Sequence, residues 1–236
     1  MKSSKLLCIL SALATALLVL SASVAAPILC RPFYYAHIAP LELTRYGLPA
    51  EEIRRAYGEM MDYCLGLRPD FAAGVLPASP EGAAHFADVR ALFLLDLGVL
   101  VLSALVLAVL FAVGRRKKLI PAAPLGHGPG FWAAAGLAAV FLTVGGLAAL
   151  DFQRAFVVFH TLFFPGKTNW LFDWRTDPII LFLPEAVFRN CALLVLMLLV
   201  FWCAVLIAAY LLAGRLRRKQ AGGAPCSGCP GCNGGR

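Results

Sequence analysis

Two histidines stand where the chain passes between polar and apolar composition: His85 in "EGAAHFADVRALFLLD" and His160 in "AFVVFHTLFFPGKTNW". An imidazole with an ordinary pKa of about 6.5 can take and return a proton near neutral pH, so both are candidate acid–base groups. Carboxylates accompany them. Glu81, His85, Asp88, Leu92 and Asp96 follow one another at steps of four, three, four and four residues, which stacks them on one face of a helix. Asp151 and Asp177 flank His160 in the second polar stretch. Any of Glu81, Asp88, Asp96, Asp151 and Asp177 is a candidate to orient an imidazole. His37, in "FYYAHIAP", has no acidic face and ranks lower, and His127 reads as a solvated loop residue.

Other chemistries leave no signature. The chain has no GxSxG turn, HExxH pair, P-loop or glycine-rich dinucleotide turn. Its 8 cysteines do not form a disulfide framework. Cys8, Cys191 and Cys203 fall in apolar runs, Cys226, Cys229 and Cys232 in the tail, and only Cys30 and Cys64 can meet outside them, where a disulfide between them is an open expectation. The external CxxC of a membrane thiol oxidase is missing. Three tail thiols at two-residue gaps could hold a metal with a ligand from elsewhere or carry acyl chains, but a disordered low-complexity tail is the plainer reading.

The elements that must position the histidines are membrane spans. At 61% hydrophobic and 14% charged, the 236 residues lack the balance of a soluble domain. Four segments can cross about 30 Å of hydrocarbon as helices: residues 6–26, 91–113, 131–150 and 190–213, with 179 as an alternative start for the last. Basic residues flank them on one side only. Lys2 and Lys5 precede the first span, Arg115, Arg116, Lys117 and Lys118 follow the second, and Arg215, Arg217, Arg218 and Lys219 follow the fourth. The 13 acidic residues lie in the other two connections or just inside the span ends. The expectation is an all-α, polytopic membrane protein of four transmembrane helices, with both termini cytoplasmic and two helical outer loops, 27–90 and 151–189. Residues 215–236 form a cytoplasmic tail. The net charge of +8 then reflects topology and calls for no nucleic acid. "MKSSK", an apolar run and "SVAA" also resemble a cleaved secretory signal; the length of the run and the even span count favour an anchor.

Within the outer loops, Pro49, Glu51 and Glu52 open a helix whose Ile53, Tyr57, Met60, Met61 and Cys64 share one face, as in an amphipathic helix on the membrane or the bundle. From Pro80 a helix should run unbroken into the second span. Phe152, Phe156, Phe159 and Phe163 suggest that the third span continues outward with an aromatic face, His160 at its edge. Trp170, Phe172 and Trp174 suit the headgroup level. Pro184 and Glu185 suggest a short surface helix before the last span restarts, with Glu185 and Arg189 paired four residues apart.

The block "FHTLFFPGKTNWLFDWRTDPIILFLPEAVF", with "EGAAHFADVRALF" upstream, closely resembles the four-span bacterial family of lipoprotein intramolecular transacylases. That family's pattern has a Glu, a His and "DV" entering the second span, then "FH", "LFF", a Trp, and "D" followed by "LPE" and an aromatic. Glu81, His85, Asp88, Val89, Phe159, His160, Leu162, Phe163, Phe164, Trp170, Asp177, Leu183, Pro184, Glu185 and Phe188 occupy those places. The resemblance covers the spans and both outer loops, not the tail.

It implies an enzyme of the bacterial cell membrane acting on diacylated lipoproteins. An acyl chain would move from the diacylglyceryl group on the N-terminal cysteine to that cysteine's α-amine, with no cofactor and no metal. An α-amine with a pKa near 7.7–8.0 is partly neutral at physiological pH, so the substrate carries its own nucleophile. His160 is expected as general base and His85 as oxyanion stabiliser or proton relay, with the roles exchangeable and an acyl-histidine conceivable. Phe156, Phe159, Phe163 and Phe164 would pack acyl chains, with Trp170 and Trp174 near the glycerol level. Competing readings are a non-enzymatic four-span binding or transport subunit, whose histidines would tolerate Ala, and a phospholipid acyl hydrolase, which would release free fatty acid.

Overall fold

The computed structural model describes residues 2–222; Cys226, Cys229 and Cys232 of the tail lie outside the described residues. Four helices are long and apolar enough to cross a membrane: α1 (Lys5–Leu29), α4 (Pro80–Arg116), α5 (Pro129–Leu150) and α7 (Glu185–Gly222). α1 packs against each of the other three, and α5 packs against α7. A third of the apolar stretch of α1 is buried, three times the share in α4 or α7, so α1 is the centre of the bundle. Ala134, at 0% exposure, lets α5 approach Val19 of α1 and Leu199 and Cys203 of α7.

At one end of the bundle, β1 (Lys2–Ser4) pairs in parallel with β2 (Leu119–Pro121), Lys2 opposite Leu119. This clip brings the basic N-terminus beside the basic 115–118 segment. His127 is not a free loop residue there: its ring stacks on Phe131 at 4.0 Å and faces Tyr210 at 5.3 Å.

The opposite end carries a cap in which the two outer loops share one core. α2 (Arg31–Tyr35), α3 (Ala50–Cys64) and the 3-10 turn Pro178–Phe182 contribute Tyr34, Ile53, Tyr57, Met60, Met61, Cys64, Ile179 and Phe182 to it. The expected apolar face of α3 is therefore correct, and what it covers is this cap core. Tyr34 stacks on Tyr57 at 3.7 Å and donates its hydroxyl to the Phe182 carbonyl at 2.7 Å, joining the loops. His37 is a structural tie. Its Nδ1 bonds the Phe33 carbonyl at 2.7 Å and its Nε2 meets the Asn190 amide at 2.9 Å. Cys30 is exposed, Cys64 buried, and both are free thiols, so the disulfide that the sequence left open is not formed.

α4 is one helix of 37 residues, as expected, with Ser79 as N-cap, Pro80 and Glu81 in its first turn and Arg115 and Arg116 in its last. Its length of roughly 55 Å exceeds the hydrocarbon thickness. The apolar part, 91–113, can span while residues 80–90 project beyond it.

Two expectations about helix ends are corrected. α5 does not continue outward: Asp151 is extended (φ −154°, ψ 92°), and its carboxylate caps a new helix, α6 (Phe152–Phe163), by accepting the Arg154 amide at 2.9 Å. A carboxylate that can satisfy an orphan amide makes a fresh start cheaper than continuation. Likewise no helix restarts at 190. Pro184 ends the 3-10 turn, and α7 runs from Glu185 without interruption. Glu185 and Arg189 are both exposed, and no ion pair joins them among the described residues; a solvated pair gains too little to hold two long side chains together.

Removing the Tyr34 hydroxyl leaves the Phe182 carbonyl buried and unpaired. Tyr34→Phe is expected to cost about 1–2 kcal/mol. Thermal unfolding of the detergent-solubilised protein should show a lower midpoint, with activity retained well below it.

Candidate active site

The site is assembled around the first turn of α4. Ser79 accepts the Gly82 amide on its hydroxyl at 2.9 Å and donates its own amide to the Asp177 carboxylate at 2.8 Å. The Thr176 hydroxyl donates to the other Asp177 oxygen at 2.7 Å. Burial works against the Asp177 charge, but these donors outweigh it and hold its carboxyl below the usual range. Gly82 is required by the same contact: a Cβ there would overlap the Asp177 carboxylate and come within 3.2 Å of the Phe172 ring. The loop carrying Phe172 and Asp177 is thus pressed onto the turn that precedes His85.

His85, 6% exposed, faces Phe164 at 5.1 Å and Phe172 at 5.4 Å. His160, 7% exposed, is the one buried residue of α6. The two imidazole centroids lie 6.0 Å apart with planes 28° from parallel. Phe156 at 4.1 Å, Trp170 at 4.7 Å and Phe164 at 5.7 Å complete an aromatic wall around His160.

The protonation pattern follows from the partners. His160 Nδ1 is 2.8 Å from the Phe156 carbonyl, which can only accept, so Nδ1 carries the hydrogen and Nε2 keeps its lone pair. His85 Nδ1 is buried without a protein partner. Burial pushes the His85 imidazole down to about 4, His160 adds to this, and Asp88 opposes it. Burial also lowers His160, with the Phe156 carbonyl working the other way. Both rings are neutral at neutral pH.

The acidic residues do different work from that expected. Asp88 bonds Lys167 at 2.5 Å and Asn169 at 3.2 Å, and neither of its oxygens bonds His85. Burial opposes the Asp88 charge, yet those two bonds keep its carboxyl below the usual range. Glu81 is exposed. Asp96 lies deeper along α4, beside Ser21 of α1. Asp151 caps α6 and Asp177 clamps α4. None of these carboxylates, nor Glu185 or Arg189, hydrogen-bonds an imidazole among the described residues.

Of the expected acyl-binding residues, Phe156, Phe164 and Trp170 wall the histidines. Phe159 and Phe163, 47% and 48% exposed, point to the outside of α6, and Trp174, 54% exposed, lies under Arg175. Sequence reasoning missed Lys167 and Asn169. The Gly166 turn (φ +73°) that returns "KTN" to α4 is the local signal that placed them within reach. Among the described residues no three His, Cys, Asp or Glu side chains converge to hold a metal ion.

Residues 9–188 match the sequence model of the family described as "Lipoprotein intramolecular transacylase Lit". The chain belongs to the Lit family. Its fold is that of the solved in meso structure of the membrane integral lipoprotein intramolecular transacylase Lit from Bacillus cereus. The two chains are 21% identical, with a TM-score of 0.81 over 91% of this chain and 97% of that one. Histidine-to-arginine and histidine-to-alanine variants of the Bacillus cereus protein match at TM-scores of 0.73 and 0.72, each 22% identical, covering 91% of this chain and 93% and 94% of theirs. No curated protein matches. As a Lit-family member the chain is a membrane-embedded acyltransferase whose reaction is intramolecular acyl transfer in a bacterial lipoprotein.

In this Lit-family site the His85 imidazole is expected to stay neutral down to pH 6. Histidine-labelled protein followed by NMR should show His85 titrating near 4, and a protonated His85 at pH 6 would contradict the burial argument.

Proposed function

We propose that His160 and His85 carry out the transfer, at the cap end of the bundle, on a diacylglyceryl-modified N-terminal cysteine. The α-amine nitrogen attacks an ester carbonyl carbon while His160 Nε2 takes an amine proton. His85, as the neutral Nδ1–H tautomer, donates to the developing oxyanion. When the tetrahedral intermediate collapses, the ester C–O bond breaks and His160 returns the proton to the leaving glyceryl oxygen. One amide is made and one ester lost, giving an N-acylated lipoprotein with a single remaining ester-linked chain. The reaction as written uses no nucleotide and no metal.

The observation that carries this reading is the pair of buried, neutral imidazoles 6.0 Å apart inside an aromatic wall. Such a wall keeps competing water from the ester, which favours transfer over hydrolysis. Holding amine and ester together is the largest saving, since oriented intramolecular reactions gain roughly 7–11 kcal/mol.

The cap faces away from the β1–β2 clip and its basic segments, so the cap end is assigned to the extracytoplasmic side of the plasma membrane. The central α1 is retained as an anchor, because its loss would remove a helix that packs against all three others. Phe159, Phe163 and Trp174 lie outside the wall, where the acyl chains of membrane lipids and of the substrate would meet them.

Expression in a bacterium whose lipoproteins are diacylated with a free N-terminal amine tests the reading. Fragment mass spectra of an N-terminal lipopeptide should show an N-acyl, S-monoacylglyceryl product, since the transfer conserves mass and only the position of the chain changes. His160→Ala is expected to lower the rate at least about 100-fold, and His85→Ala comparably. Released fatty acid with a free-amine product would favour hydrolysis instead.

Because His160 lies below its ordinary pKa, it is already basic at pH 6.5. The kcat/KM profile should therefore climb through about pH 7–8 with deprotonation of the substrate amine. A profile flat across that range would count against direct attack by the free amine.

A further inference from the structure

We infer that Asn169 seats the substrate's α-amine, its side-chain Oδ1 accepting one amine N–H while the other faces His160. The inference rests on the transacylase reading of the histidine pair. Asn169 lies in the turn that follows Gly166. Its Nδ2 donates to Asp88 Oδ2 at 3.2 Å, which fixes the plane of the amide. Its Oδ1 points the other way, buried and without a protein partner. A buried amide carbonyl left unpaired is costly, and such groups in folded proteins are rare enough to point to a ligand.

The surroundings select what that ligand is. Asp88, a carboxylate able to take an ammonium, has one oxygen on Lys167 at 2.5 Å and the other on Asn169. Its charge is matched and its near side filled. The donor group of the substrate is left with a neutral acceptor, beside a lysine whose charge disfavours a second cation. That environment keeps the amine in its uncharged, nucleophilic form.

Position agrees with chemistry. Asp88 follows His85 by three residues on the same face of α4, and Trp170, next to Asn169, lies 4.7 Å from the His160 ring. Asn169 thereby joins the two walls that carry the imidazoles. A neutral primary amine has two N–H bonds and one lone pair: Asn169 takes one hydrogen, His160 Nε2 the other, and the lone pair is left for the ester carbonyl.

Two ligands test this by binding to the full-length protein in lipid nanodiscs. One is a synthetic diacylglyceryl lipopeptide with a free N-terminal amine, made with ether-linked chains so that it cannot react. The other is its desamino analogue, with 3-mercaptopropionyl in place of the cysteine. The wild type should bind the amine about tenfold more tightly than the desamino form, as one hydrogen bond allows. Asn169→Ala should erase that preference and leave desamino affinity unchanged; a preference that persists in the variant overturns the inference. If the alanine variant also loses the desamino ligand, Asn169→Ser is measured in its place. It keeps a donor for Asp88, and its shorter side chain places no acceptor where Oδ1 stood, so the same two outcomes decide. The ester-linked lipopeptide, given to the wild type, separates the two levels of argument. Its failure to rearrange would remove the transacylase reading itself, whereas normal rearrangement with an unchanged amine preference in the variant removes only the role of Asn169.

Discussion

Asp177 accepts the Ser79 amide at 2.8 Å and the Thr176 hydroxyl at 2.7 Å while only 4% exposed, and through Ser79 it sets where the 37-residue α4 begins. A helix is rigid along its axis, so fixing its first turn fixes the height of every residue above the membrane. His85 is carried on the second turn. The glycine at 82 is the necessary complement, since any side chain there would push the carboxylate and Phe172 away. The carboxylate also sits where the partial positive charge of the helix start is greatest, so it is favoured in its charged form.

With α4 fixed, the remaining geometry concerns excluding water from two imidazoles. His160 reaches its place because Asp151 ends α5 and restarts the chain as α6, turning the buried edge of the new helix toward α4. The Phe156 carbonyl one turn earlier then selects the tautomer. Each imidazole is kept neutral by burial, without an acidic partner of the kind seen in catalytic triads. For an attacking amine that supplies its own lone pair, a weakly basic proton acceptor that easily gives the proton back is adequate, and a strong base is not required.

The sequence made much of this legible. Hydropathy and charge placement gave the four long helices, and the spacing from Glu81 to Asp96 gave α4 as an unbroken element with His85 on its polar end. The motif around His160 marked the second histidine. What could not be read was which side chain meets which across the loops. Asp88 was a natural partner for His85 on spacing alone, yet its oxygens are taken by Lys167 and Asn169, 79 and 81 residues further along the chain. Asp151 looked like a group near an imidazole and is a helix cap. The Phe152–Phe163 repeat implied one aromatic face, but the edge turned inward is that of Phe156, His160 and Phe164, while Phe159 and Phe163 stay exposed.

The clip between β1 and β2 bears on how the molecule is made. Residues 2–4 leave the ribosome before their partners 119–121, which emerge only after α1, the first outer loop and all of α4 have been synthesised. The two strands can meet only when both ends lie on the same side of the bilayer, which requires the intervening loop to have crossed it completely. Pairing between them therefore registers the correct insertion of the first helical hairpin before α5 and α7 arrive to enclose it.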